Sequence, residues 1–172
     1  MKYQIDQSGK IEQTNKPTVL AISNGKKFSI LLKASDKRLI QKMYRTLFDK
    51  QRQYIYEVFS ALLYILISST KPQSKIVVDI EYPGQQSLIK LLLFKFYHEH
   101  GQKPPSNLEF GLVGKSSPAH HLGYSIFKKK QKPSKAVSFD EVIGIIFHQK
   151  RPGIPVLVEP RALKRRMITT GR

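Results

Sequence analysis

Residues 75–84, KIVVDIEYPG, join an apolar run to two acidic residues and a turn. The run over residues 76–78 is typical of a buried strand, and Pro83-Gly84 ends it. Side chains alternate between the two faces of a strand, so we expect Asp79 and Glu81 on the same face. Two carboxylates at the end of an apolar strand either reach solvent or need a positive partner. A divalent metal ion is the obvious partner.

The composition indicates a globular domain with a sizeable core. The chain has 172 residues, of which 40% are hydrophobic and 10% aromatic. Cysteine is absent, which excludes disulfides and thiolate metal sites and suits a reducing compartment. The N-terminal residues lack an apolar signal-peptide core, and the most apolar stretch, residues 58–69, is too short to span a bilayer. We therefore expect a soluble, cytoplasmic protein.

The charge balance indicates a polyanionic partner. Thirty Lys and Arg residues against twelve Asp and Glu residues give a net charge of +18. Nucleic acid is the partner that best neutralises such an excess, and an anionic membrane surface is the lesser alternative because no long basic amphipathic helix is evident. A structural RNA-binding protein would be equally basic, so charge alone does not indicate an enzyme. With so few acids available, an acid retained inside a strand is expected to have a task.

Alternating and apolar runs predict three strands at the start of the chain, over residues 2–6, 18–23 and 27–33. Asn24-Gly25 is a strong hairpin signal, so we expect an antiparallel meander. Ser8-Gly9 places Asp6 at the end of the first strand, either as a turn acceptor or as a functional acid.

Helical spacing then predicts a helix over residues 36–65, kinked or divided near residues 51–53, whose basic residues, Lys37 among them, form a solvated face. After the strand at residues 76–81, the pattern predicts a helix over 85–100, a fifth strand over 108–113, and helices over 119–128 and 139–148. The helix over 85–100 is so apolar that it is either buried on most sides or packed against a second subunit.

The predicted helix over residues 119–128 has a clear start, with Ser117 as N-cap and Pro118 at its first position. His120 and His121 then fall in its first turn, as surface imidazoles or as functional groups. A basic loop follows this helix. We interpret residues 149–172 as a basic extension from a domain over residues 1–148, suited to gripping phosphates or a partner.

The order of these elements resembles that of the RNase H-like superfamily over residues 1–128. The resemblance implies a mixed five-stranded sheet, with three antiparallel strands followed by alternating helix and strand, and helices on both faces. In that superfamily the first strand ends in an Asp, matched here by Asp6 in DQSG, and the adjacent fourth strand brings a second acid, matched by Asp79 or Glu81. The helix after the fifth strand supplies the last ligand, and here that segment is SSPAHHLGY.

Within the superfamily the chain is most similar to Holliday junction resolvases of the RuvC kind, which carry an I-E-φ pattern like Ile80-Glu81-Tyr82. Those enzymes have acids in the last helix, where this chain has His120 and His121. Some members use a His there, and His120 fits the expected spacing better. Uncharacterised proteins that begin with a D-E-S-G-like turn are also similar to DQSG.

The resemblance implies a Mg²⁺-dependent endonuclease acting on structured DNA, most specifically a Holliday junction resolvase, with Mn²⁺ able to substitute. It would work as a homodimer, for which the helix over 85–100 is a candidate interface. The implied catalytic residues, all but the last of them metal ligands, are Asp6, Glu81, Asp79, His120 and Lys115. The expected nucleic-acid-binding residues are Lys128, Lys129, Lys130, Lys132, Arg161, Lys164, Arg165 and Arg166.

Two alternatives remain open, namely an RNase H-type ribonuclease on RNA–DNA hybrids and a non-catalytic nucleic-acid-binding protein on the same fold. A restriction-type nuclease is a weaker option because its E-x-K pattern is absent, since Phe110 and Gly111 follow Glu109.

Overall fold

The computed structural model describes residues 2–24, 26–48 and 52–148. Within these ranges the elements follow in the order β1 (Tyr3–Ser8), β2 (Thr18–Asn24), β3 (Lys26–Leu32), α1 (Ala34–Phe48), α2 (Gln53–Thr70), β4 (Ile76–Asp79), α3 (Gln86–Glu99), β5 (Leu108–Gly111), α4 (Pro118–Phe127), β6 (Lys135–Val137) and α5 (Phe139–Ile146). The order confirms the predicted antiparallel opening and the alternation of helix and strand that follows it. The long helical segment is divided into α1 and α2, one of the two arrangements that its polar interruption predicted.

The strands form one mixed sheet in the order β5-β4-β1-β2-β3-β6. The pairs β1–β2 and β2–β3 are antiparallel, whereas β1–β4, β4–β5 and β3–β6 are parallel. The α/β class and the mixed sheet are therefore confirmed, but the expectation of five strands is wrong. The sixth strand, β6, lies where the sequence indicated only a basic loop, because a three-residue strand is too short to show periodicity. Ser134 anchors it at the β3 edge, where its Oγ accepts a hydrogen bond of 3.1 Å from the Ser29 backbone N–H.

The central parallel pair sets the position of the acids. The Cα partners of β1 and β4 end with Ile5 and Val78, both buried. One step further in this register, Asp6 and Asp79 lie side by side on the same face of the sheet, because paired residues of neighbouring strands point the same way. The expectation that Asp6 ends the first strand is wrong, since β1 continues to Ser8, which pairs with β2.

Helices cover both faces of the sheet, as the sequence predicted. On one face α4 packs Leu122 and Ile126 against Val19 and Ala21 of β2. The alternate residues of β2, Leu20 and Ile22, point to the other face, where they join the larger core built with α1, α2, α3 and α5. Helices on both sides bury most residues of the central strands β1, β2 and β4.

Helix α3 is buried along one side and exposed along the other. Ile89, Leu93 and Phe96 are fully buried, whereas Leu91 keeps 67% of its surface exposed. Most residues of α3 are buried or half-buried, as one of the two alternatives for this segment has it, and packing of its exposed apolar position against a second subunit stays a prediction. None of the helices in the described residues combines the length and the apolar character needed to cross a bilayer.

Candidate metal centre

Three carboxylates meet where β1 passes the carboxyl end of β4. Asp6, Asp79 and Glu81 each offer one oxygen atom, and these oxygens all lie within 4.8 Å of one another. Asp79 is the last residue of β4, whereas Glu81 lies beyond the strand, where its backbone N–H donates to the Asp79 carbonyl at 3.0 Å. The predicted alternation along one strand is therefore not what aligns these two acids. A bend of the chain after Asp79 turns Glu81 back toward the cluster.

Burial and the neighbouring acids raise the pKa values of two members of the cluster, Asp6 and Glu81. Burial is the main cause that raises the pKa of Asp6, and Asp79 adds to it, while the adjacent His120 works in the opposite direction. Burial, followed by the charges of Asp6 and Asp79, raises the pKa of Glu81 to about 7. Lys10 and the backbone N–H of Gln7 lower it only in part.

These residues fit a hard divalent cation. Carboxylate oxygens are the ligands that Mg²⁺ and similar ions prefer, and a cation among three carboxylates relieves their mutual repulsion and the cost of burying them. The side chains are also oriented in advance, since Asp79 Oδ1 accepts a hydrogen bond of 2.8 Å from the backbone N–H of Val113, just beyond β5. A pre-oriented ligand loses less conformational entropy when an ion binds.

His120, in the first turn of α4, contacts the Asp6 carboxylate of the cluster. Its Nδ1 lies 3.2 Å from Asp6 Oδ2. The Ser117 Oγ caps α4 by accepting the His120 backbone N–H at 3.0 Å, and Pro118 occupies the first helical position, as the sequence predicted. Close packing at Gly123 brings the helix near, because a Cβ there would lie 3.1 Å from Ser8 Oγ of β1. His121 is exposed on the next position of the helix.

Tyr82 connects the cluster to the loop between β1 and β2, a role that sequence reasoning missed. The buried Tyr82 hydroxyl accepts hydrogen bonds from Gln7 Nε2 at 3.3 Å and from the Ile11 backbone N–H at 3.2 Å. It donates to Glu12 Oε2 at 3.4 Å. The only sequence signal for this role is the position of Tyr82 directly after Glu81, in the Ile80-Glu81-Tyr82 pattern. Through Tyr82 the β1–β2 loop supports the turn that carries Glu81.

Lys37 fixes the other end of the same loop. The interpretation of Lys37 as part of a solvated face is wrong, because the residue is 1% exposed. Its Nζ donates to the carbonyls of Lys10, Gln13 and Lys16 at 2.7, 2.8 and 2.8 Å, and to Thr18 Oγ1 at 2.9 Å. Burial lowers the pKa of this amine to about 8. A lysine is buried here because the loop supplies a ring of acceptors that no helical pattern reveals.

Several other charged residues, predicted or not, are not part of the three-carboxylate group. Lys115 is exposed in the loop before α4 and, among the described residues, forms no hydrogen bond or ion pair. Glu109 pairs with Lys75 at 2.7 Å on the exposed side of β5. Glu57 is buried and accepts a hydrogen bond from Tyr44. The lysines beyond α4 are exposed, namely Lys128, Lys129, Lys130 and Lys132. The remaining predicted residues, Arg161, Lys164, Arg165 and Arg166, lie outside the described residues, as does the whole predicted extension over 149–172.

No protein-family model matches the chain, and no curated protein or solved structure is significantly similar to it. Function is therefore inferred from the chemistry of the site. Three carboxylates, of which Asp6 is buried and Asp79 and Glu81 are half-buried, can hold a divalent cation, and the adjacent imidazole places a proton acceptor next to it. That combination suits hydrolysis of a phosphate ester in a protein whose net charge is +18.

Proposed function

We propose that the chain is a Mg²⁺-dependent endonuclease with an RNase H-like fold that cleaves phosphodiester bonds in structured DNA, most specifically a four-way junction. The observation that carries the proposal is the meeting of Asp6, Asp79 and Glu81 oxygens within 4.8 Å. The parallel pairing of β1 with β4 supports it, because the RNase H-like resemblance implies that the first and fourth strands are neighbours. The antiparallel β1-β2-β3 opening is also what that resemblance implies.

In this proposal Asp6, Asp79 and Glu81 hold Mg²⁺, or Mn²⁺ in its place. When bound, the ion supplies a Lewis acid that holds the scissile phosphate and lowers the pKa of the attacking water. The three carboxylates orient it, and the protein charge attracts the nucleic acid. Lys115 is exposed in the loop before α4, and in this proposal its ammonium group contacts the phosphate of the bound nucleic acid.

His120 handles a proton in the same proposal. An ionised Asp6 can only accept hydrogen bonds, so the 3.2 Å contact assigns the hydrogen to His120 Nδ1. The other ring nitrogen, Nε2, is then an acceptor that can take a proton from water at the site. Asp6 stabilises the imidazolium that results. The alternative role of Nε2 as a further metal ligand uses the same tautomer.

A junction requires two cuts related by symmetry, which implies two copies of the chain. The exposed side of α3 is the candidate interface, since Leu91 is 67% exposed there and Phe94 is only partly buried. Sedimentation of the free protein and of the protein bound to a junction tests this. A monomer in both states, together with paired cuts, would exclude α3 as a required interface.

The decisive experiment compares cleavage of a labelled four-way junction, an RNA–DNA hybrid and a linear duplex in Mg²⁺. Asp6→Asn tests the cluster, and Glu109→Gln is the matched control, because Glu109 is an exposed acid on β5 paired with Lys75. We expect junction cleavage that Asp6→Asn lowers by at least about 100-fold and that Glu109→Gln leaves unchanged.

Each alternative has its own outcome. Cleavage of the hybrid alone would replace the resolvase with an RNase H-type ribonuclease. Tight binding with no cleavage of any substrate, in Mg²⁺ or in Mn²⁺, would leave a non-catalytic nucleic-acid-binding protein. Equal cleavage by the wild type and Asp6→Asn would remove the cluster from the mechanism.

A further inference from the structure

Helix α4 and its C-cap residue carry a stripe of side chains that begins half-buried at the carboxylate cluster and becomes exposed away from it. The α4 stripe consists of His120, Tyr124 and Lys128, which are spaced four residues apart and so lie on one face. The rings of His120 and Tyr124 are nearly parallel, at 12°, with centroids 6.1 Å apart. The Lys128 Nζ lies 5.4 Å from the centroid of the Tyr124 ring. The stripe therefore presents an imidazole, a phenol ring and an ammonium group in sequence.

The ring of Tyr124 is not needed for the core of the protein. Tyr124 keeps 48% of its surface exposed, whereas its neighbours Leu122 and Ile126 are buried against β2. At the near end of the stripe, His120 bonds Asp6. Eight residues of α-helix measure about 12 Å, which is the length of about three stacked nucleotides at about 3.4 Å each. A nucleic-acid strand with its phosphate at the cluster would thus pass over Tyr124.

The far end of the α4 stripe is strongly cationic. Exposed lysines follow one another there, namely Lys128, Lys129, Lys130 and Lys132. Within the described ranges none of the four forms an ion pair. The C-terminus of a helix carries a partial negative charge, but the four positive charges of these lysines are much larger. Unpaired ammonium groups beside an exposed aromatic ring are complementary to phosphates beside a base.

We propose that Tyr124 is a stacking platform for an unpaired nucleobase next to the scissile phosphate, and that Lys128 then pairs with the adjoining phosphate. This inference rests on the proposed function and narrows its substrate class to nucleic acid that has unpaired nucleotides beside the cut. In a continuous duplex the base faces are covered by their neighbours and only base edges are reachable. A base can replace the Lys128 ammonium at the ring, because an exposed cation–π contact is weaker than base stacking.

Binding in EDTA tests this inference separately from catalysis. The probes are a single-stranded oligonucleotide that carries a fluorescent purine analogue and a duplex of the same sequence, each as DNA and as RNA. We expect Tyr124→Ala to weaken single-strand binding about tenfold and to leave duplex binding unchanged. Tyr124→Phe keeps the ring and should bind as the wild type does. Quenching of the purine fluorescence by the wild type and Tyr124→Phe, and not by Tyr124→Ala, would demonstrate the stack.

Charge is tested separately from stacking. Lys128→Ala should weaken single-strand and duplex binding alike. It should also reduce the slope of the logarithm of affinity against the logarithm of salt concentration by about 0.7 for the single strand and about 0.9 for the duplex. Lys90→Ala removes an exposed lysine from α3 whose Nζ lies 5.5 Å from the centroid of the Phe94 ring, and it is the matched control, for which we expect no change in that slope.

Unaltered single-strand affinity in Tyr124→Ala, or an equal loss for single strand and duplex, would overturn the inference and leave the ring with a purely structural role. Circular dichroism and urea unfolding confirm that each variant is folded. Because binding is measured without metal, the absence of cleavage in the earlier experiment would not by itself reject the stacking inference. Intact cleavage together with absent stacking rejects only the platform. A DNA-only or RNA-only effect of Tyr124→Ala identifies which nucleic acid the platform accepts.

Discussion

Replacing Glu81 with Gln removes one negative charge from the three-carboxylate cluster and keeps the shape of the side chain. Burial, with Asp6 and Asp79, raises the pKa of Glu81 from 4.5 to about 7. That difference corresponds to about 3 kcal/mol of destabilisation when the carboxylate is ionised in the folded protein. Because Glu81 is only partly buried, solvent screening reduces the expected effect to about 2 kcal/mol.

The sign follows from proton binding. Between pH 4.5 and about 7 the folded protein binds more protons at Glu81 than the unfolded chain does, so the free energy of unfolding falls as the pH rises through this range. Glu81→Gln lacks this loss. We expect the variant to match the wild type below pH 4.5 and, above about pH 7, to be more stable by about 2 kcal/mol, which is roughly 4–8 °C in Tm.

Urea unfolding followed by circular dichroism, in EDTA and over this pH range, measures the difference. Glu109→Gln is the control, because that exposed acid lies outside the cluster and should show no such gain. Adding Mg²⁺ or Mn²⁺ should stabilise the wild type far more than Glu81→Gln, since an ion that binds only the folded state shifts unfolding by mass action. A Glu81→Gln variant no more stable than the wild type above pH 7 in EDTA would refute the electrostatic reasoning. So would an equal gain in Glu109→Gln.

Three further predictions test other parts of the structure. Lys37→Met leaves a ring of loop acceptors without their ammonium donor and should lower the free energy of unfolding by about 3 kcal/mol in urea; a loss below about 1 kcal/mol would mean that the loop does not depend on it. Gly9 and Gly84 both have positive φ, at +80° and +81°, but only a Cβ at Gly9 would meet other atoms, the Pro17 carbonyl and the Phe127 ring. Gly84→Ala should therefore cost about 1 kcal/mol and Gly9→Ala more than about 2 kcal/mol in the same assay, and equal losses would contradict the packing argument. His120→Asn should slow single-turnover cleavage by about 100-fold or more, with the adjacent His121→Asn as control, and comparable rates in the two variants would remove His120 from proton transfer.

The convergence of Asp6 with Asp79 or Glu81 was expected only through the resemblance to the RNase H-like superfamily, in which the first and fourth strands are neighbours. The apolar run before Asp79 indicates a buried strand, whereas residues 2–5 before Asp6 form no such run. Glu81 was expected on the same side of the sheet as Asp79 and does join it in the cluster, but strand alternation is not the reason. Its carboxylate reaches the others through a bend after β4, and no residue pattern distinguishes that bend from a continued strand. The extension of β1 to Ser8 depends on pairing with β2, a tertiary contact that overrides the turn tendency of Ser8-Gly9.

Other features depend on contacts with residues that are far away in the sequence, and local patterns do not reveal such contacts. Lys37 looks like any surface lysine of a helix, and only the carbonyls of the β1–β2 loop make its burial favourable. The meeting of His120 with Asp6 was expected only through the resemblance, because the close packing of α4 at Gly123 that accompanies it is not encoded in the periodicity. The strand β6 is too short to be recognised, and it exists because β3 offers it a free edge.

The residues that meet at the cluster are distributed over most of the described chain. Asp6 is made at the beginning, Asp79 and Glu81 midway, and His120 late. During synthesis, the ribosome must release β4 before a second carboxylate is available, and α4 before the imidazole is present. If the cluster cuts nucleic acid, a chain that stops before α4 cannot form the complete site, because it lacks His120.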